Sequence, residues 1–273
     1  LINYNLPAQT GFTSILQNFP ALIQNRGFEF SLLTKNFSGK FFKWTTSFNL
    51  SIPRNKLISF PGLATSSYDG IYAVGKSLNL FNGYHLLRVD PSSGVYQFED
   101  VDGNGTIDNA DYVSNYNLDP RFYGGLSNSF EYKGWNLNIF LEFKKQMGYN
   151  YNNYPIYNFT PGGMYNLPNI MLNRWQKPGD ISSIQEFTQT YSPAFEAQYN
   201  FSLSDGRLSD ASYIRLKNVS LSYTLPEKFS KKMHLSNSRI YLLSQNLVTL
   251  TKYKGSDPET QNLFVLPPLK TLT

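Results

Sequence analysis

An all-β, antiparallel transmembrane β-barrel is the fold class this sequence predicts, and three observations predict it. The 273 residues include 20 Tyr and 21 Phe and only 16% charged side chains, and aromatic residues suit a pleated, half-buried surface. Strict alternation runs through "KFFKWTTSFNLSIP", where Phe42, Trp44, Thr46, Phe48, Leu50 and Ile52 share one face and Lys43, Thr45, Ser47, Asn49 and Ser51 the other. That is a period of two, the signature of a strand with unlike faces. Finally, the connections between the strand pairs alternate long and short, as in barrels with short periplasmic turns and long outer loops.

Taken in order, the first pair joins "GFEFSLLTK", with Phe28, Phe30 and Leu32 on one face, to the run from Phe42 to Ile52, and "NFSG" makes the short turn, read as Lys35 to Gly39. In the second pair, a tight turn at Lys133-Gly134 joins a strand ending in Phe130 and Tyr132 to one bearing Trp135, Leu137, Ile139, Leu141 and Phe143. The third pair is "SYIRLKNVSLSYTLP" and "SRIYLLSQNLVTLT", linked by "EKFSKKMHLSN". Its alternation breaks between Leu216 and Val219, which predicts a bulge. Between the pairs lie long irregular stretches, 54–119, 149–210 and 252–268, far above the usual connection of about 4–6 residues. A soluble sheet with one wet face alternates in the same way, but strands this long exceed the ordinary globular strand of about 5–6 residues.

Composition excludes several classes. No window approaches the 18 or so consecutive apolar residues of a spanning helix, which leaves spanning strands open. The net charge is +5, but the basic residues are dispersed apart from "KFSKK" at Lys228 to Lys232, so no nucleic-acid partner is expected. With no cysteine there is neither a disulfide scaffold nor a thiolate metal site. The start, "LINYNLP", has no signal-peptide pattern and the end, "LPPLKTLT", reads as the opening of a strand, so both ends are expected to be cuts through a longer protein.

The candidate site is the acidic stretch "FEDVDGNGTIDNADY". Counted from Asp100, oxygen-bearing side chains occupy loop positions 1, 3, 5, 7, 9 and 12: Asp100, Asp102, Asn104, Thr106, Asp108 and Asp111, with Gly105 at the sixth. This is the spacing that wraps hard oxygen ligands around a calcium ion, with Asp111 standing where an EF-hand has Glu. The alternative is a solvated Asx-rich turn with no metal. The Tyr-rich run from Gly148 to Tyr165 could stack sugars or pack a loop, and "NIMLNRWQKPGD" reads as a short structural helix stopped by Pro-Gly. No enzyme activity is expected: the two histidines, His85 and His234, belong to no catalytic motif.

Four segments, "FEDVDGNGTIDNADY" with the following "NLDPRFYGGLSNSFEYKGWNLNIFLEF", then "LNRWQKPGD", "ASYIRLKNVSLSYTLP" and "RIYLLSQNLVTLTKYKGSDPE", together resemble the SusC/RagA-type TonB-linked outer membrane proteins of Bacteroidota. The resemblance implies that residues 1–273 are a C-terminal portion, about eight strands, of a 22-stranded barrel. It implies import of a bulky nutrient, commonly an oligosaccharide and in some members a peptide. It also implies power from the TonB–ExbB–ExbD complex through segments absent from this chain, and a SusD-like lipoprotein as a lid. Residues 54–119 and 149–210 would then be extracellular loops. On the reading of the residues themselves, Phe42, Trp44, Phe48, Leu50, Trp135, Leu137, Ile139 and Leu141 face outer-membrane lipid, and Asn49, Asn136, Asn138, Glu142 and Lys144 line the lumen or touch a plug. The competing readings are a secreted, calcium-stabilised β-domain that binds glycans, and a passive porin or adhesin barrel.

Overall fold

The computed structural model describes residues 2–5, 8–18, 21–66, 68–153, 167, 169–236, 238–262 and 264–273. Its strands, in chain order, are β1 (Ile2–Asn5), β2 (Ser14–Gln17), β3 (Leu22–Ser38), β4 (Phe42–Ser59), β5 (Leu80–Gly83), β6 (Leu86–Val89), β7 (Tyr96–Phe98), β8 (Ser114–Asn117), β9 (Phe122–Tyr132), β10 (Trp135–Lys145), β11 (Met147–Tyr149), β12 (Leu208–Asp210), β13 (Tyr213–Thr224), β14 (Arg239–Thr251) and β15 (Thr271–Leu272). Two α-helices, α1 (Pro193–Ser202) and α2 (Glu227–Lys232), join them. No described helix is long and apolar enough to cross a membrane, which says nothing of the strands.

The chain divides into two compact units. A sheet unit comprises residues 27–53, 120–153 and 208–273, and a loop unit comprises 1–26, 54–119 and 154–207. One seven-stranded sheet has the order β15-β14-β13-β10-β9-β4-β3, against the eight or so strands that the resemblance implies. The register puts the predicted faces together. Trp135 stands opposite Tyr132 and Tyr223, Leu137 opposite Phe130 and Leu221, Leu141 opposite Leu126 and Leu216, and Trp44 opposite Phe130. The other face pairs Asn136 with Glu131 and Ser222, and Asn138 with Ser129 and Ser220. A one-residue slip would invert both faces, so a sheet with two unlike surroundings fixes its register tightly.

The apolar face is exposed in this chain by itself, with Trp135 at 47% and Leu250 at 63%. Ring contacts run across it, from Trp44 to Phe130 at 5.7 Å and from Phe48 to Phe143 at 5.9 Å. Its polar members satisfy one another. Asn36 Nδ2 donates to Thr46 Oγ1 (2.6 Å), and Thr46 Oγ1 and Trp44 Nε1 both donate to Asn128 Oδ1 (2.6 and 2.9 Å). Such closure matters most where water is absent, because an unmade hydrogen bond there costs several kcal/mol.

Three details differ from the sequence reading. The first turn sits later than Lys35 to Gly39: β3 runs on to Ser38, Gly39 N donates to Phe42 O (2.9 Å), and the Phe37 and Phe42 rings meet at 5.6 Å. The short helix read in "NIMLNRWQKPGD" is present as a 3-10 helix, Asn169–Asn173, but it ends well before the Pro-Gly. The 54–119 stretch is not irregular throughout, for it carries β5 to β8. The predicted bulge is present, as the β13–β14 register shifts between Leu216 and Asn218.

The loop unit has its own core. Tyr84, Val89, Tyr96, Phe98, Trp175, Ala197 and Phe201 are buried together, and Tyr96 stacks on Phe201 at 4.5 Å. Helix α1 begins where the Ser192 side chain accepts from Phe195 N with Pro193 in the first turn, a favourable start because proline lacks the amide that would go unpaired there. Gly94 has φ +73°, and a Cβ there would come within 2.3 Å of the Trp175 ring. Trp175 Nε1 donates to Pro91 O at 3.0 Å. The indole therefore lies directly on the backbone of the turn between β6 and β7, and only glycine leaves room for it.

Candidate functional site

The acidic stretch lies between β7 and β8 in the loop unit. Asp100 accepts from Gly103 N (2.8 Å) and Gly105 N (2.9 Å), Asp102 from Asn104 N (3.1 Å), and Asn104 Oδ1 from Thr106 N (2.7 Å). Asp102 and Asn104 thus make Asx turns, the geometry that short polar side chains favour, and Asp100 ties the loop together over three and five residues. Asp108 caps the 3-10 helix Asn109–Asp111, with Ala110 N donating to its Oδ1 at 2.8 Å. Asp111 is fully buried, and its two oxygens accept from Val101 N (2.7 Å) and Asp108 N (2.9 Å). Those two amides hold its carboxyl below the usual carboxylate range.

Oxygens of Asp100, Asp102 and Asp111 lie within 4.8 Å of one another. Asp108 is outside this carboxylate group, turned to its helix cap, and Asn104 and Thr106 complete the wrapped loop through their own turn bonds. Among the described residues, no Lys, Arg or His forms an ion pair with the three converging aspartates. Three like charges at this separation repel, and a divalent cation is the chemistry that offsets such repulsion. The donor set is hard oxygen, which fits calcium and not a thiolate-seeking metal.

A second constellation, absent from the sequence reading, occupies the polar face of the sheet. Arg215 on β13 is 1% exposed. Its guanidinium reaches Asp257, Glu259 and, through Nε at 2.9 Å, Thr249 Oγ1. Lys217, skipped by the bulge register, reaches Glu259 at 2.9 Å and Glu142 at 3.4 Å, and Tyr213 donates its hydroxyl to Glu142. Asp257 also accepts from Glu259 N (2.9 Å) and Thr260 N (3.1 Å). The "SDPE" stretch after β14 is thereby fastened to the polar face of β13, and Gln146 Nε2 donates to Pro258 O at 3.0 Å beside it. An arginine near the start of a strand, followed some 40 residues later by an acid–Pro–acid triplet, is the only signal of this in the sequence. Most of the Tyr-rich run, 154–166, lies outside the described residues.

No protein-family profile matches the chain. Curated relatives do. TonB-dependent receptor P3 of Formosa agariphila is 31% identical over 280 residues, covering 93% of this chain and 27% of the relative. TonB-dependent receptor SusC of Bacteroides thetaiotaomicron is 24% identical over 279 residues, covering 96% and 26%. Among solved structures, the RagAB peptide transporter superposes with a TM-score of 0.73 at 26% identity, over 95% of this chain and 29% of that one. The chain spans about a quarter of the length of the curated relatives it matches.

Proposed function

The chain belongs to the SusC/RagA type of TonB-dependent receptors, so its sheet is a stretch of an antiparallel transmembrane β-barrel, and from that premise we propose that the whole protein imports a bulky nutrient across the outer membrane. The import is energised by the TonB–ExbB–ExbD complex through segments outside residues 1–273, and a SusD-like surface lipoprotein covers the mouth. The observation that carries this reading is the division of the sheet into an apolar face and a face of amides, hydroxyls and ion pairs. In a barrel these face lipid and lumen respectively.

The proposed substrate is an oligosaccharide. A peptide is the second reading, favoured by the name of the solved neighbour, a peptide transporter. Deleting the full-length gene tests both. Growth on one glycan class should fail and be restored by the intact gene but not by one lacking the TonB-contacting segment. Failure on peptides alone selects the second reading, and uptake that persists without TonB refutes energised import in favour of a passive pore.

The segments 54–119 and 149–210 are proposed to be extracellular. There the acidic loop would hold calcium through Asp100, Asp102 and Asp111, with Asn104, Thr106 and Asp108 supplying further oxygens or ordering the loop. The ion would supply charge neutralisation and stiffness to a connection fixed otherwise by its small aromatic core. Its role is to brace the rim, with no part in catalysis.

A further inference from the structure

From the end of the sheet that carries the short connections, we infer a docking rim for anionic phospholipid headgroups, formed by Lys40, Lys133, Lys228 and Lys232, with Phe229 and Met233 set among the acyl chains. The inference rests on the reading of this sheet as membrane-spanning. The three connections adjoin, since Lys133 N donates to Phe41 O (3.3 Å) and Thr224 N to Gly134 O (2.9 Å). The β3–β4 turn, the β9–β10 turn and the 225–238 connection therefore present one continuous edge.

Its charge is one-sided. Only Glu131 and Glu227 are acidic there, and each is already paired, with Lys43 at 3.0 Å and Lys231 at 2.8 Å. Lys40, Lys133, Lys228, Lys232 and Arg239 are exposed and have no acidic partner among the described residues. Two of them lie over aromatic rings, Lys40 over Phe41 (5.5 Å) and Lys133 over Tyr132 (5.3 Å). A groove of about 330 Å³ runs between Lys40, Lys133 and Trp135.

The position relative to the apolar face fixes the ligand class. Tyr132, Trp135 and Tyr223 ring the last row of that face, with Trp135 and Tyr223 at 4.7 Å, and aromatic girdles mark the headgroup level of spanning barrels. The Lys133-Gly134 turn lies immediately beyond this row and the 225–238 connection follows directly on Tyr223 and Thr224, at the level where phosphates lie. The 225–238 connection adds exposed Phe229 (62%), Met233 (51%) and Leu235 interleaved with Lys228, Lys231 and Lys232. Exposed apolar and basic side chains placed close together on α2 and the residues just after it are the composition of an interfacial anchor. A purely soluble turn gains nothing from the exposed phenylalanine and methionine, and a free phosphate would leave them unpartnered. A phospholipid satisfies both halves.

The test uses the full-length receptor in bilayers containing spin-labelled phosphatidylglycerol or phosphatidylcholine, with the lipid fraction immobilised at the protein read by electron paramagnetic resonance. Flotation with the vesicles is measured first, and a receptor that does not enter bilayers refutes the membrane-spanning reading itself. Given insertion, phosphatidylglycerol should be preferred about three- to fivefold at low salt, the scale set by one or so surface cations. The preference should collapse toward parity at high salt and in the Lys133→Gln/Lys228→Gln/Lys232→Gln variant. Lys145→Gln/Lys252→Gln, at the other end of the strands, should retain it. Parity in the unaltered protein, or an undiminished preference in the triple variant, overturns the inference. The salt series on the unaltered protein decides the matter even if the triple variant does not fold.

Discussion

Replacing Ile139 by arginine tests the assignment of faces most directly. Ile139 lies near the middle of β10, opposite Asn128 and Val219, on the face of Leu137, Leu141 and Trp44. At about 3.3 Å per residue it is roughly 13 Å along the strand from Trp135 and about 20 Å from Lys145. With the usual tilt of a spanning strand, that puts it close to the bilayer midplane, where a lipid-facing arginine costs about 2–4 kcal/mol. The folded fraction at equilibrium should then fall by a factor on the order of 30 or more. The neighbouring Asn138 lies on the opposite face between Ser129 and Ser220, where an arginine keeps its hydration. The assay is the amount of full-length receptor in the outer membrane, with heat-modifiable gel migration as the measure of a closed barrel. Ile139→Arg should be strongly depleted and Asn138→Arg close to the unaltered level. Equal amounts of the two variants would refute the lipid-facing assignment.

Calcium should protect the Asp100 to Asp111 segment from proteolysis in the intact receptor, and identical cleavage with calcium and with a chelator would defeat the metal reading. Gly94→Ala forces a Cβ into the Trp175 ring at a left-handed φ, which should cost about 2–4 kcal/mol from overpacking and backbone strain and expose 54–119 and 154–207 to protease without depleting the barrel. An unchanged cleavage pattern would contradict the tight Gly94–Trp175 contact. Arg215→Met strands Asp257 and Glu259 without their buried partner, so the receptor's melting should drop by the equivalent of about 3–5 kcal/mol. Adding Asp257→Leu should recover part of the loss, and a single variant that melts like the parent would refute a structural role for the cluster.

The legible parts of this protein are those whose causes lie within a few residues. Alternation in Phe42 to Ile52 and Trp135 to Phe143 announces which side chains share a face, Lys133-Gly134 announces a hairpin, and the broken period after Leu216 announces a bulge. All four are local consequences of a backbone that turns its side chains over at every residue. The connection 225–238 was equally visible as a basic run, but its exposed Phe229 and Met233 acquire meaning only beside the girdle of Trp135 and Tyr223.

The sequence by itself therefore determined the strand class, the faces, the order of hairpins and the spacing of oxygens from Asp100 to Asp111. Tertiary structure decided which distant groups meet. Arg215 finds Asp257 and Glu259 only because β14 returns along β13 and the chain after it folds over the polar face. Trp175 finds Gly94 only because two long connections share one core. Neither contact leaves a period in the sequence, since a contact between residues 40 or 80 positions apart is set by the path of the chain between them. The convergence of Asp100, Asp102 and Asp111 combines both causes: the spacing was written locally, and the burial of Asp111 that closes the loop came with the fold.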